Sequence, residues 1–328
     1  MIRLKLHGVD GVYHCYSRVV GRERLLDARC REVLGRQVRQ VGQFCGVEVL
    51  AWCVLSNHFH VLLRVPGTDP REVCDAELLR RYRVLYPEPT RWQVARVEAL
   101  GKLLGGGGEK AERVRARLSA RMHDLSHYMK TLKQRYSVWY NRTHGRAGTL
   151  WSERYGSTLV QGRVHALQIV SAYIDLNAVR AGVVDDPKDY RWSGYGEAVG
   201  GVRASRMAIM GVMGGSGSWA VAQREYRKYL YCAGVAPGRG GAAAALKRDD
   251  WIRVMSRGGR LAVAEALRCR VRYFTCGAVL GSREWVEQVY RQYRDRFGPR
   301  RRSGARAMKG SEWEGLTVLR DLQKDLFG

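Results

Sequence analysis

Apolar and polar residues alternate from Val12 to Val20, the period of a strand that buries one face. Cys30, Val33, Leu34, Val38, Val41 and Phe44 then recur at three- and four-residue intervals and stop at Gly46, which predicts a helix ended by glycine. Val47 to Leu55 and His58 to Val65 read as two strands joined at Ser56-Asn57 and closed by Pro66-Gly67. A charged helical region follows, broken by Gly105-Gly106-Gly107-Gly108. This run predicts a flexible loop, and no Lys-Ser/Thr follows it at the spacing of a phosphate-binding loop, so no nucleotide cofactor is expected. Leu125, Tyr128, Met129, Leu132, Tyr136 and Trp139 mark the core side of another helix. Tyr155 to Gln161 reads as a strand, and Ala166 to Asn177, without Gly or Pro, as a helix ending near Gly182. The sum is an α+β fold, an antiparallel sheet with helices on one face.

Beyond residue 200 the texture changes. Gly214 to Ser218 and Gly234 to Ala245 are rich in glycine and alanine and read as linkers around a helix from Trp219 to Tyr231. Trp285, Val286, Val289, Tyr290, Tyr293 and Phe297 form an apolar helical stripe that starts after Gly281-Ser282. This divides the chain into a main domain, 1–200, and a basic, mainly helical extension, 201–328.

Charge narrows the class of partner. The chain carries 57 Lys+Arg against 31 Asp+Glu, a formal net charge of +26, and a polyanion is the natural counterpart of such a surface. Residues 201–328 hold 25 of the basic and 11 of the acidic residues, with the densest run at Arg300-Arg301-Arg302. In the first part Lys133, Arg135 and Arg142 interleave with aromatics on the helix around Tyr136. Charge does not separate DNA from RNA, and these six cations are the candidate nucleic-acid contacts, through phosphates and beside bases that stack. The eight cysteines show no C-x-x-C pair and no metal-finger spacing, so they read as reduced, partly buried thiols. No apolar segment approaches membrane-spanning length, and the expected location is cytoplasmic and nucleoid-associated.

The chemistry-bearing residues fall in two places. His58 and His60 are two apart on a strand and therefore share a face, while Phe59, Val61, Leu63 and Val65 point the other way. Two neutral imidazoles side by side suit a divalent ion. Tyr173 and Asn177 are four apart on the later helix and share its face.

His58-Phe59-His60 followed by Tyr173-x-x-x-Asn177 resembles the single-tyrosine HUH transposases, and among them the REP-associated tyrosine transposases. Gly11-Val12-Tyr13-His14, Ser17-Arg18, Met129 to Tyr136 and Gly148 to Tyr155 carry the same likeness, which spans roughly residues 8 to 200. Where the family usually has Asn-Pro this chain has Asn177-Ala178, which removes a fixed φ but no catalytic atom. The resemblance implies a ferredoxin-like HUH core with Tyr173 as nucleophile and Mg²⁺ or Mn²⁺ held by His58, His60 and Asn177. It also implies single-stranded or hairpin DNA of REP type as substrate, cleaved and transferred through a 5′-phosphotyrosine. Two other readings of the same residues are a non-catalytic hairpin-DNA binder and an RRM-like RNA-binding protein whose histidines stack on bases.

Overall fold

The computed structural model describes residues 4–6, 8–215, 217–231, 262–268, 271–311, 313–320 and 322. The expected linker from Gly234 to Ala245, with Cys232 and Cys269, lies outside them. The strands are β1 (Gly11–Arg18), β2 (Glu48–Val54), β3 (His58–Val65), β4 (Gly156–Val160), β5 (Val279–Ser282), β6 (Arg306–Ala307) and β7 (Leu316–Leu319). They form one sheet in the order β2-β3-β1-β4-β5-β7-β6. Neighbours are antiparallel except β4 and β5, which run parallel. The fold is α+β as expected, but the sheet is mixed, and the segment beyond residue 200 adds three strands to it as well as helices.

The helix from Ala28 to Cys45 (α1) starts where the Asp27 carboxylate accepts the Cys30 N–H. It stops at Gly46, whose φ of 62° lies in the left-handed region that only glycine enters freely. Helices α2 (Asp75–Val84), α3 (Arg91–Gly105) and α4 (Gly108–Ser119) follow. The glycine run, expected as a flexible loop, is a tight corner between α3 and α4 with Gly107 and Gly108 at φ of 68° and 80°. The aromatic-rich helix is α5 (Leu125–Thr143), and the tyrosine helix is α6 (Val164–Asp175). Next come α7 (Asn177–Arg180), α8 (Gly194–Val199), α9 (Arg203–Val212), α10 (Trp219–Leu230), α11 (Val263–Arg268), α12 (Tyr273–Cys276) and α13 (Arg283–Gln292).

Helices cover both faces of the sheet, not one. Tyr13, Cys15, Phe59, Val61 and Leu63 pack against Leu34, Val38 and Val41 of α1, Tyr128, Leu132 and Tyr136 of α5, and Val286 of α13. Val12, Leu62 and Val160, on the opposite face, pack against Ile169, Val170 and Ile174 of α6 with Tyr195, Tyr226 and Phe274. Alternation along β3 therefore sorts its residues between two cores.

Asp175, at the end of α6, is buried in the second core. Its carboxylate accepts from the Tyr195 N–H at 3.2 Å and the Tyr226 hydroxyl at 2.7 Å. Burial pushes its pKa up to about 7 against those two bonds. An unfolded aspartate titrates near ~3.9, so between about pH 4 and 7 the folded protein holds the extra proton and stability falls as pH rises, by at most ~1.4 kcal/mol per unit. Asp175→Asn should remove this slope. Urea midpoints at pH 5 and pH 7.5 should differ less in the variant than in the wild type, and an unchanged difference would mean that another group carries it.

Candidate functional site

Strand register builds the site. Tyr16 of β1 lies opposite His60 of β3, Arg18 opposite His58 and His14 opposite Leu62. Alternation then puts His14, Tyr16, Arg18, His58 and His60 on the sheet face that α6 covers. The rings of His58 and His60 are 5.2 Å apart and close to perpendicular. Tyr173 approaches from α6 with its ring 6.2 Å from His60 and 6.0 Å from His14, edge-on to both. The structure thus brings together His58, His60 and Tyr173, which are more than a hundred residues apart in sequence.

The hydrogen bonds fix the tautomers. His14 Nδ1 lies 2.8 Å from the Phe274 carbonyl, which can only accept, so Nδ1 carries the hydrogen and Nε2 is a lone pair. His60 Nδ1 lies 2.9 Å from that Nε2 and must be the donor. The lone pair of His60 is therefore on Nε2. Asn57 gives His58 the same polarity: its Nδ2 donates to the Arg22 carbonyl, which turns Oδ1 toward His58 Nδ1 at 2.6 Å. Both rings present Nε2 as ligand atom, each held by a bond at its other nitrogen, which is how metal-binding histidines are oriented. Burial also keeps His14 and His60 neutral. It lowers the pKa of His14 to about 4 and that of His60 well below its usual value, with Arg180 adding to both effects. A neutral imidazole is the form that binds a cation.

Asn177 follows a break in the helix at Leu176. Its Nδ2 donates to the carbonyls of Tyr173 and Ile174, at 3.3 and 3.0 Å, which belong to the last turn of α6. The oxygen is thus the atom left to bind a ligand, as an amide ligand to a divalent ion requires. His58, His60 and Asn177 fit a divalent ion in donor type and tautomer.

Arg180 is a functional candidate that motif spacing alone does not single out. Its guanidinium lies 4.0 Å over the Tyr173 ring and donates to the Tyr173 carbonyl at 2.5 Å and the Leu267 carbonyl at 2.7 Å. This sets a fixed positive charge beside the Tyr173 side chain. Its seven-residue offset from Tyr173, two helical turns, is the only sequence signal.

The C-terminal part closes the site. The Phe274 ring lies 4.5 Å from that of Tyr173, and the carbonyls of Phe274, Thr275 and Gly277 accept from His14, Tyr16 and Thr158. Tyr173 and His60 are each only 4% exposed as a result.

The candidate DNA contacts are not gathered at this site. Lys133 and Arg135 are on α5, across the sheet from Tyr173. Lys133 donates to the Glu153 carbonyl and Arg135 to the Leu85 carbonyl. Arg301 donates to the carbonyls of Ser303, Gly304 and Arg320. Arg142, Arg300 and Arg302 are exposed. No described helix is long and apolar enough to cross a membrane.

No model of a known protein family matches the chain, and no curated protein matches it. Among solved structures, it is similar to a REP-associated tyrosine transposase bound to a REP hairpin, at 15% identity and a TM-score of 0.39, over 61% of this chain and 85% of that one.

Proposed function

We propose that the protein cleaves and rejoins single-stranded or hairpin DNA through a covalent phosphotyrosine at Tyr173. The observation that carries this reading is the Tyr173 ring set between two neutral, bonded histidines and the guanidinium of Arg180. The Tyr173 oxygen attacks the scissile phosphorus as its proton passes to solvent, with the Arg180 guanidinium held over the ring. The bond from phosphorus to the 3′-oxygen breaks, and that oxygen takes up a proton. The 5′-phosphotyrosine keeps the energy of the broken bond, so a second 3′-hydroxyl reverses the step without an external energy source. His14 and Asn57 hold the rings of His60 and His58 in register, and His58, His60 and Asn177 would hold Mg²⁺ or Mn²⁺. Such an ion, when bound, offsets the charge that develops on the phosphoryl oxygens. This is the chemistry of a strand transferase in transposition.

An RNA reader of the RRM type needs aromatic rings exposed on a sheet face. Both faces here are covered, which disfavours it. A hairpin binder without catalysis differs from the enzyme in one measurable respect. Labelled hairpin oligonucleotide incubated with protein and Mn²⁺ should give a covalent band on a denaturing gel, and a binder gives none.

Partner choice supplies a second expected result. Hairpin with unpaired flanks should bind more tightly than the same sequence as perfect duplex, and both should weaken as salt rises. Replacing the exposed Arg142, Arg300 and Arg302 together by Ala should flatten the salt dependence by up to about three released counterions. Equal affinity for hairpin and duplex in a filter-binding titration would leave only a generic basic surface.

A further inference from the structure

Away from Tyr173, the start of α1 meets the end of α5 in a second group of donors. Asp27, Cys30 and His144 each offer one ligand atom, and these atoms lie within 4.8 Å of one another. Each is held by its surroundings. Asp27 caps α1, with its carboxylate on the Cys30 N–H at 2.8 Å. Cys30 sits in the first turn of the helix, buried, with its sulfur 3.9 Å from His144 Nε2. His144 follows the last residue of α5, stacks on Tyr140 with ring centres 4.1 Å apart, and lies with Nδ1 2.9 Å from the Tyr140 carbonyl. That carbonyl only accepts, so the hydrogen is on Nδ1 and the Nε2 lone pair faces the thiol.

We propose that Asp27, Cys30 and His144 bind one zinc-type divalent ion, with water in the fourth position, and so tie the start of α1 to the end of α5. One carboxylate, one thiolate and one imidazole whose second nitrogen is bonded to a carbonyl make a donor set for tetrahedral zinc. Bonds of ~2.3 Å to sulfur and ~2.0 Å to nitrogen place those two atoms about 3.5 Å apart in a tetrahedron, so the observed separation needs only a small closure. The softness of sulfur separates this site from the nitrogen and oxygen donors around Tyr173 and selects against Mg²⁺. Binding releases the thiol proton to solvent, which the exposed Asp27 and His144 leave open to the ion. The proposal does not depend on DNA cleavage.

The test is a Co²⁺ titration of the full-length protein freed of metal. One equivalent should produce a near-ultraviolet sulfur-to-cobalt charge-transfer band with the intense visible bands of tetrahedral cobalt, and Zn²⁺ should bleach them. A double His58→Ala, His60→Ala variant should keep the band, whereas Cys30→Ser should lose it. His144→Ala alters an exposed residue and keeps the testing possible if Cys30→Ser fails to fold. It should weaken Co²⁺ binding at least tenfold and abolish any rise in melting temperature with Zn²⁺. Absence of the band at saturating Co²⁺, its survival in Cys30→Ser, or unchanged affinity in His144→Ala would overturn the site.

Discussion

Tyr173→Phe should abolish both strand cleavage and the covalent band while leaving hairpin affinity nearly unchanged. The substitution removes one oxygen and keeps the ring that packs on Phe274 and beneath Arg180, so fold and binding surface survive. The informative control is Tyr16→Phe. Tyr16 is also at the site, 5.8 Å from the His60 ring, but its hydroxyl donates to the Thr275 carbonyl and burial raises its pKa. Its hydroxyl is already engaged by that carbonyl, so its loss should leave the covalent band in place. Tyr155, the other tyrosine near this region in sequence, belongs to the opposite core and bonds with Ser126. A band that persists in Tyr173→Phe and disappears in Tyr16→Phe would transfer the nucleophile to β1.

Replacing His58 or His60 by Ala should slow cleavage by on the order of 10²-fold or more, because charge stabilisation by a bound cation in phosphoryl transfer is worth several kcal/mol. Asn177→Ala should cost less, since water can take the place of the amide oxygen. His14→Ala tests the hydrogen-bond chain itself. Without it the His60 tautomer is no longer enforced, and metal affinity should fall ~10- to 100-fold, as for other partners that orient a ligand. The distinguishing measurement is rate against Mn²⁺ concentration: excess metal should restore His14→Ala but not His60→Ala. Two imidazoles and an amide favour Mn²⁺ over Mg²⁺, so Mn²⁺ should support activity at lower concentration. Cleavage that continues in excess EDTA would remove the metal from the proposal altogether.

Much of the fold was legible because local rules decide it. The helix from Ala28 to Cys45 is stopped by a glycine that its φ requires, and Ser282 accepts the Trp285 N–H to cap α13, as their positions predict. The hairpin of β2 and β3 and the strand of β4 follow from alternation and turn residues. The two-sided covering was harder to read, although the unbroken run Val61-Leu62-Leu63 is how a strand buried on both faces looks. The strands β5 and β7 have four residues each and β6 has two, too short to show a period.

The site divides in the same way. His58 and His60 share a face by strand geometry, and Tyr173 and Asn177 by helical spacing, so their order in the chain already groups them. The partner of each ring is a different matter. His14 meets His60 through a register set between β1 and β3, and meets the Phe274 carbonyl 260 residues away. Asp27 and Cys30 meet His144 only because α1 and α5 pack on the same face of the sheet. The sequence by itself determined which face of a strand or helix His58, His60, Tyr173 and Asn177 share, because those periods are properties of the backbone. Only the tertiary structure decided which nitrogen of each histidine holds a proton, how completely Tyr173 is closed off, and which distant donors converge, because each depends on contacts between segments whose separation no local period encodes.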